Sequence, residues 1–386
     1  MRLAIVTTHP IQYYAPIFKL LHERGNIDIM VFYTWGEQSK QKYDPGFDTT
    51  IRWDIPLLEG YAFTWVKNTS TDPGTHHFSG IVNPELIGQV QEWGAEAVLV
   101  FGWAWQSHLK VMRFFKGRIP VYFRGDSTLL DERPGLKNLV RSIYLKWVYR
   151  HVDHAFYTGS NNQAYFKKYG LTDDQLSFAP HAVDNERFSA DRRDEMLQLR
   201  HKLGIADDDI LVLFAGKLES KKSPQLLLDA FLQLDKKGVH LLFTGNGVLE
   251  PQLKAAAVEA SGVHFMSFQN QSMMPVIYQA SDLFCLPSKG PGETWGLAVN
   301  EAMACGKAVL VSDAVGCAAD LVKNGINGAI FKHENKEELA AHLDALTQSA
   351  KQLSELGKNS ANIIRNWNFR SIAEAIEARA ATENKR

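Results

Sequence analysis

Residues 288–316, SKGPGETWGLAVNEAMACGKAVLVSDAVG, decide how the rest of the chain is read. Two glutamates, Glu293 and Glu301, stand there with seven residues between them. Gly290, Pro291 and Gly292 form a glycine-rich loop that runs through Thr294, Trp295 and Gly296 into 297–305, a stretch of good helix formers stopped by Gly306. A loop of this kind presents backbone N–H groups at a helix N-terminus, where anions and above all phosphates are favoured. Glu293 then sits in the loop, placed to accept hydrogen bonds from a polyol, and Glu301 about two turns further on, inside the helix, placed to hold a second pair of hydroxyls. One carboxylate for a sugar and one for a ribose describes a nucleotide-sugar site. A helix with two solvated glutamates would show the same spacing; the loop before it and the strand-like AVLVSD after it favour the site.

The chain around this stretch is built for two domains. Its 386 residues exceed one ordinary domain, and 45% hydrophobic with 22% charged residues exclude a disordered or fibrous protein. A formal net charge of −1 gives no global attraction for nucleic acid. Cys285, Cys305 and Cys317 show no metal-ligand spacing and read as reduced core thiols. No apolar run reaches the roughly 18 residues of a membrane span, and Met1 leads straight into a strand pattern, so a cytoplasmic protein is expected, soluble or peripheral at the inner face of the cell membrane.

Both halves alternate strand and helix patterns. Strands are expected at 2–7, 27–33, 97–101 and 120–123, with helices at 16–24 and 84–93 among them, the signature of a parallel sheet covered on both faces. The first strand runs into His9, Pro10, Ile11 and Gln12; His9 and Gln12 suit a phosphate or sugar hydroxyl, and suit loop packing equally. Residues 35–79 are irregular, polar and aromatic (Tyr43, Phe47, Trp53, His76, His77), an acceptor surface or a packed excursion. Arg124 and Asp126 follow the fourth strand; Arg124 fits bidentate binding of phosphate or carboxylate, Asp126 fits orienting a nucleophilic hydroxyl, and a mutual ion pair fits both.

Residues 133–154 form a basic amphipathic helix whose apolar residues Leu136, Leu139, Val140, Ile143, Trp147 and Val148 belong in a protein core, an anionic membrane surface being the alternative. Charged residues dominate 186–202, a solvated linker helix between the domains. In the second half, strands at 210–215, 240–244, 263–268 and 283–287 precede the opening stretch. The first ends at Gly216, Lys217 and, five residues on, Lys222, two ammonium groups in the place where an α/β sheet binds phosphate; a solvated lysine cluster is the plainer alternative.

The stretch 288–316 resembles the E-x7-E signature of retaining glycosyltransferases of the two-Rossmann GT-B type, especially glycosyltransferase family 4 (glycosyl transferases group 1). Further matching points are Val183, Asp184 and Phe188 at the passage into the second domain, the Gly245–Gly247 turn, and Asn366–Phe369 before a last helix. The resemblance implies an α/β chain of two Rossmann-like domains with parallel sheets facing an interdomain cleft. It places an acceptor-binding domain over 1–185, a nucleotide-sugar-binding domain over 186–365 and a C-terminal helix returning to the first domain over 366–386.

It further implies transfer of a sugar from a nucleoside diphosphate sugar to a hydroxyl of a glycan or lipid-linked acceptor, with retention and without metal or cofactor, in bacterial surface polysaccharide synthesis. Lys217 and Lys222 would hold the diphosphate, Glu293 the sugar, and Glu301 the ribose. Backbone groups of Thr294, Trp295, Gly296, Leu297, Gly216, Gly245, Phe268 and Asn270 would line the donor. His9, Gln12, Arg124 and Asp126 would face the acceptor side. The chain departs from the family with Lys217 for an arginine, Arg124 where a histidine is usual, and His181-Ala182 for Asn-Gly. These departures keep a catalytically silent nucleotide-sugar-binding protein, or a nucleotide-sugar epimerase, as alternatives.

Overall fold

The structure, a computed structural model, describes residues 1–40, 42–44 and 49–383. It divides into two compact units: Met1–Lys42, Ile55–His181 and Phe369–Arg386 form the first, and Tyr43–Asp54 with Ala182–Asn368 the second. Phe47 lies outside the described residues.

The strands of the first half are β1 (Arg2–Thr7), β2 (Asp28–Tyr33), β3 (Lys42–Asp44), β4 (Thr49–Ile51), β5 (Phe63–Trp65), β6 (Ala97–Phe101), β7 (Val121–Arg124), β8 (His154–Tyr157) and β9 (Leu176–Phe178). Seven of them form one sheet in the order β5-β2-β1-β6-β7-β8-β9, while β3 and β4 pair with each other. The second half adds β10 (Ile210–Ala215), β11 (Val239–Thr244), β12 (Val263–Met266), β13 (Leu283–Leu286), β14 (Ala308–Ser312) and β15 (Gly328–Phe331), ordered β12-β11-β10-β13-β14-β15. Every pairing within the two large sheets is parallel. The strands β6, β10, β13 and β14 are buried along their whole length, as continuous apolar runs must be when helices cover both faces of a sheet.

Strand order reverses between β1 and β6 in the first sheet and between β10 and β13 in the second. Such a reversal leaves a crevice at the carboxyl ends of the two neighbouring strands, because their connections leave in opposite directions. In the second unit the loops opening that crevice begin at Gly216 and Pro287.

Four expectations are revised. The segment 43–54 groups with the second unit, where the Asn270 side-chain amide donates to the Arg52 carbonyl at 2.6 Å and the Ser272 N–H donates to the Asp54 carboxylate at 3.2 Å. The residues expected as a solvated linker form two helices, Asn185–Ser189 and Arg193–Lys202, and the second is anchored. Its Arg200 is buried and donates to the carbonyls of Ala280, Ala206 and Asp209 at 2.6–2.8 Å. The basic helix is Leu136–Tyr149, and it turns Leu145, Val148 and Tyr149 to the core, leaving Leu136, Leu139, Val140 and Ile143 60–82% exposed. Short strands β5, β8, β9 and β15 also escaped the pattern reading, each being three or four residues long.

The last helix, Phe369–Glu383, belongs to the first unit. Ile372, Ala373, Ile376 and Ala380 are buried there, and Arg24 makes a two-point ion pair with Glu377 at 2.8 Å.

Candidate functional site

The second unit gathers the residues of the opening stretch at its strand-order reversal. Ser288 follows β13 and is fully buried; its hydroxyl donates to Glu293 Oε2 at 2.8 Å. The same carboxylate oxygen accepts from the ammonium of Lys222, which arrives on the loop after β10. Glu293 is 7% exposed and the Lys222 side chain 18%, so a largely buried charge pair, formed across 71 residues of sequence, joins the loops that follow β10 and β13. The two loops are also joined through the backbone, Lys289 N–H donating to the Lys221 carbonyl at 2.9 Å. Lys217, half-buried, directly follows Gly216 at the end of β10.

The helix carrying Glu301 spans Leu297–Ala304. Gly296 starts it with φ 94°, and a β-carbon there would lie 2.8 Å from Val315 Cγ1; Gly306 ends it at φ 68°. Glycine is the residue that meets both demands, positive φ and close approach. Glu301 is buried in this helix and its Oε2 accepts from the Tyr278 hydroxyl at 2.8 Å. The loop is braced from behind: Gly316 N–H donates to the Glu293 carbonyl at 3.1 Å and Cys317 N–H to the Trp295 carbonyl at 2.8 Å. A β-carbon on Gly316 would stand 1.8 Å from the Thr294 carbonyl oxygen.

Trp295 is a packing residue by its side chain. It is 3% exposed, its indole N–H donates to Asn300 at 2.8 Å, and its ring lies 5.2 Å from that of Trp367. The expectation concerns the backbone of Thr294, Trp295, Gly296 and Leu297, and the side-chain packing of Trp295 leaves it as it stands. On the other flank, Gly245 N–H donates to the Met266 carbonyl and Phe268 N–H to Asn246 Oδ1 at 2.6 Å. Gly247 passes so near Leu218 that a β-carbon would meet its carbonyl oxygen at 2.4 Å. The Asn270 side chain is engaged with Arg52. Burial pushes the thiols of Cys285, Cys305 and Cys317 up, which keeps them protonated and inert.

In the first unit, His9 and Gln12 follow β1; His9 Nδ1 shares a hydrogen bond with the Thr8 hydroxyl at 2.8 Å, and its ring meets Trp35 edge-on at 5.2 Å. Arg124 overturns its expected role. It is 2% exposed, and its two terminal nitrogens donate to the carbonyls of Ala179 and Pro180 at 2.7 and 2.8 Å. Both terminal nitrogens are engaged with backbone while Nε is buried without a hydrogen-bond partner among the described residues, and burial lowers the pKa to about 10. The corner it holds delivers His181 to Asp126, with Nε2 3.7 Å from Oδ2. His181 is 4% exposed; burial pulls its pKa down, and Asp126, 45% exposed, opposes that shift. Burial, and secondarily Asp126, raise Tyr14. Ser288 directly follows the strand pattern at 283–287 and carries that signal; His181 comes after β9, a strand too short to read, and Tyr278, 23 residues before Glu301, leaves no spacing to read.

Comparison with known proteins fits this geometry. Residues 196–363 match the family Glycosyl transferases group 1. A D-inositol 3-phosphate glycosyltransferase of Rhodococcus erythropolis is 26% identical over 231 residues, 57% of this chain and 51% of that protein. The chain spans about half the length of the curated relatives it matches. Among solved structures, Anabaena Alr3699/HepE in complex with UDP and glucose superposes with a TM-score of 0.72 at 20% identity, over 99% of this chain and 100% of that one. WaaG, a glycosyltransferase involved in lipopolysaccharide biosynthesis, does so with 0.67 at 16%, over 97% and 98%. The fold is GT-B. No helix among the described residues is long and apolar enough to cross a membrane.

Proposed function

We propose that the chain is a glycosyltransferase that moves a sugar from a nucleoside diphosphate sugar to an acceptor hydroxyl with retention of anomeric configuration. The Lys222–Glu293 pair at the strand-order reversal of the second sheet carries this reading. A diphosphate entering between the loops after β10 and β13 meets Lys222 and Lys217, and cationic groups there stabilise the charge that grows on the leaving nucleotide. Once Lys222 turns to phosphate, Glu293 keeps its Ser288 hydrogen bond and gains acceptor capacity for sugar hydroxyls. Glu301, held by Tyr278, suits the ribose diol. The buried Ser288 and Tyr278 contacts hold the two carboxylates before and after ligand arrives, so only Lys222 has to change partner. No enzymic nucleophile takes part: the leaving phosphate accepts the acceptor's proton on the same face of the sugar. Neither metal nor cofactor enters the proposed reaction.

The test is thermal unfolding with UDP, GDP, ADP and CMP, followed by proton NMR of the product formed from the matching sugar donor. Stabilisation by one diphosphate and a product anomer equal to the donor's support the reading. Inversion, or no stabilisation by any of them, would sink it. The WaaG likeness supports a glycan or lipid-linked acceptor of a bacterial surface polysaccharide.

The partner surface proposed for that acceptor is an anionic lipid bilayer. Leu136, Leu139, Val140 and Ile143 follow the i, i+3, i+4, i+7 rule on one exposed stripe, with Tyr144 stacked on Trp147 at 5.6 Å beside it. Arg133, Lys137, Arg141, Lys146 and Arg150 are exposed around that stripe. An apolar strip framed by cations and aromatic rings suits the boundary of headgroup and acyl chain. Co-sedimentation with phosphatidylglycerol-containing vesicles, lost in a variant with serine at all four stripe positions and weak on pure phosphatidylcholine, is the expected result. Equal binding by both proteins would refute the assignment.

A further inference from the structure

We infer that Asp72, His76 and His77 form a binding site for a divalent transition metal ion of the zinc type. They lie on the loop that follows β5, and the loop's own geometry brings the three side chains together. His76 Nε2 and His77 Nε2 each stand 3.2 Å from Asp72 Oδ2, and one ligand atom from each of the three residues falls within 4.8 Å of the others. Zinc bonds to imidazole nitrogen and carboxylate oxygen of about 2.0–2.2 Å put neighbouring ligands of a tetrahedron about 3.3 Å apart. The two measured separations are already of that size. The imidazole rings are 4.6 Å apart with planes at 64° and do not stack; His77 Nε2 also lies 3.0 Å from the Asp72 backbone carbonyl, a contact that an ion would compete with. Two neutral imidazoles and one carboxylate form a nitrogen-and-oxygen set that suits zinc and leaves a fourth position to solvent.

The loop is stiff enough to hold this arrangement. Asn68 closes its neck: Oδ1 accepts from the N–H groups of Ser70 and Val82 at 3.1 and 2.9 Å, while Nδ2 donates to the Gly80 carbonyl at 2.9 Å. Across the middle, Gly74 N–H donates to Gly80 O and Gly80 N–H to His77 O, both at 3.1 Å. The Trp105 indole donates to the Thr75 carbonyl at 3.3 Å and ties the loop to the carboxyl edge of the first sheet, the edge that also carries His9 and Asp126. Gly74 sets the pose of one ligand: a β-carbon there would lie 2.5 Å from His76 Nδ1. The ion would cross-link 72 to 76 and 77 and fix the loop. The inference does not depend on the proposed transferase activity.

The test is titration of the full chain, freed of metal by chelation, with zinc chloride by calorimetry and with cobalt(II) by visible absorption. One ion per chain is expected, with affinity falling at least tenfold in Asp72→Asn, His76→Ala and His77→Ala. Gly74→Ala should weaken it too, although it removes no ligand atom. Hydrogen exchange of residues 68–82 should slow when zinc is added to the parent and stay unchanged in His76→Ala/His77→Ala. The three side chains are 36–70% exposed, so circular dichroism should show every variant folded. Absence of binding in the parent at micromolar zinc, or undiminished binding in the double variant, overturns the inference.

Discussion

Lys222 and Glu293 are the residues on which the proposed chemistry rests, and each is partly withdrawn from water. Glu293→Gln keeps the shape and removes the charge; transfer should fall by about a hundredfold or more, the scale of losing one preorganised electrostatic contact. A double-mutant cycle with Lys222→Ala should show a coupling of about 1–3 kcal/mol, because the two are in direct contact. Additive losses would mean the pair does not act as a unit. Arg124 makes an opposite prediction. Arg124→Met leaves the Ala179 and Pro180 carbonyls buried without donors, at a cost of about 1–3 kcal/mol each. Urea unfolding should register that loss while affinity for whichever nucleotide stabilises the parent stays unchanged in the folded variant; lost affinity with unchanged stability would restore Arg124 as a ligand contact.

At the scale of elements, the loops of the second unit are set by backbone approaching backbone. Gly316→Ala drives a methyl group into the Thr294 carbonyl, so the loop with Glu293 must shift, and stabilisation by the nucleotide that protects the parent should shrink or vanish. Gly88→Ala, on a helix with open space around it, is the matching control and should leave it intact. The strands and helices around these loops are legible because they are long and apolar: 97–101 and 210–215 are strands to the residue, while the strand 308–312 and the helix 297–304 each end one residue before the stretch read from the sequence. Three-residue strands carry too little periodicity to be seen, and the facing of the helix Leu136–Tyr149 was misread for another reason. Its stripe is apolar enough for a core, and only the positions of neighbouring elements decide whether a core is there. The same limit applies to Lys222–Glu293: spacing named both residues, and only the fold could show them bonded.

For the whole molecule, acid should act first through two buried histidines of the first unit. His108 is fully buried, hydrogen-bonded to Thr34 and to the Phe101 and Gly102 carbonyls, and burial lowers its pKa to about 4; burial does the same to His154. A folded pKa below the unfolded one means that the unfolded chain binds the proton more tightly. Stability is therefore full above pH 6.5 and is lost as pH falls from there towards 4, by about 2 kcal/mol per histidine at pH 5. Chemical unfolding at pH 7.5 and pH 5 should show the loss, and His108→Gln should remove about half of it, the part that His154 contributes remaining. The path of the chain through the two units has a different consequence. The polypeptide enters the first unit at its start, leaves it, returns, leaves again, and completes it only with the helix Phe369–Glu383. On a ribosome, the part made first is therefore finished last. Every residue of the second unit has been made before the helix that buries Ile372 and Ile376 emerges, so a chain truncated just before residue 369 should lack part of the first unit's core and none of the second unit.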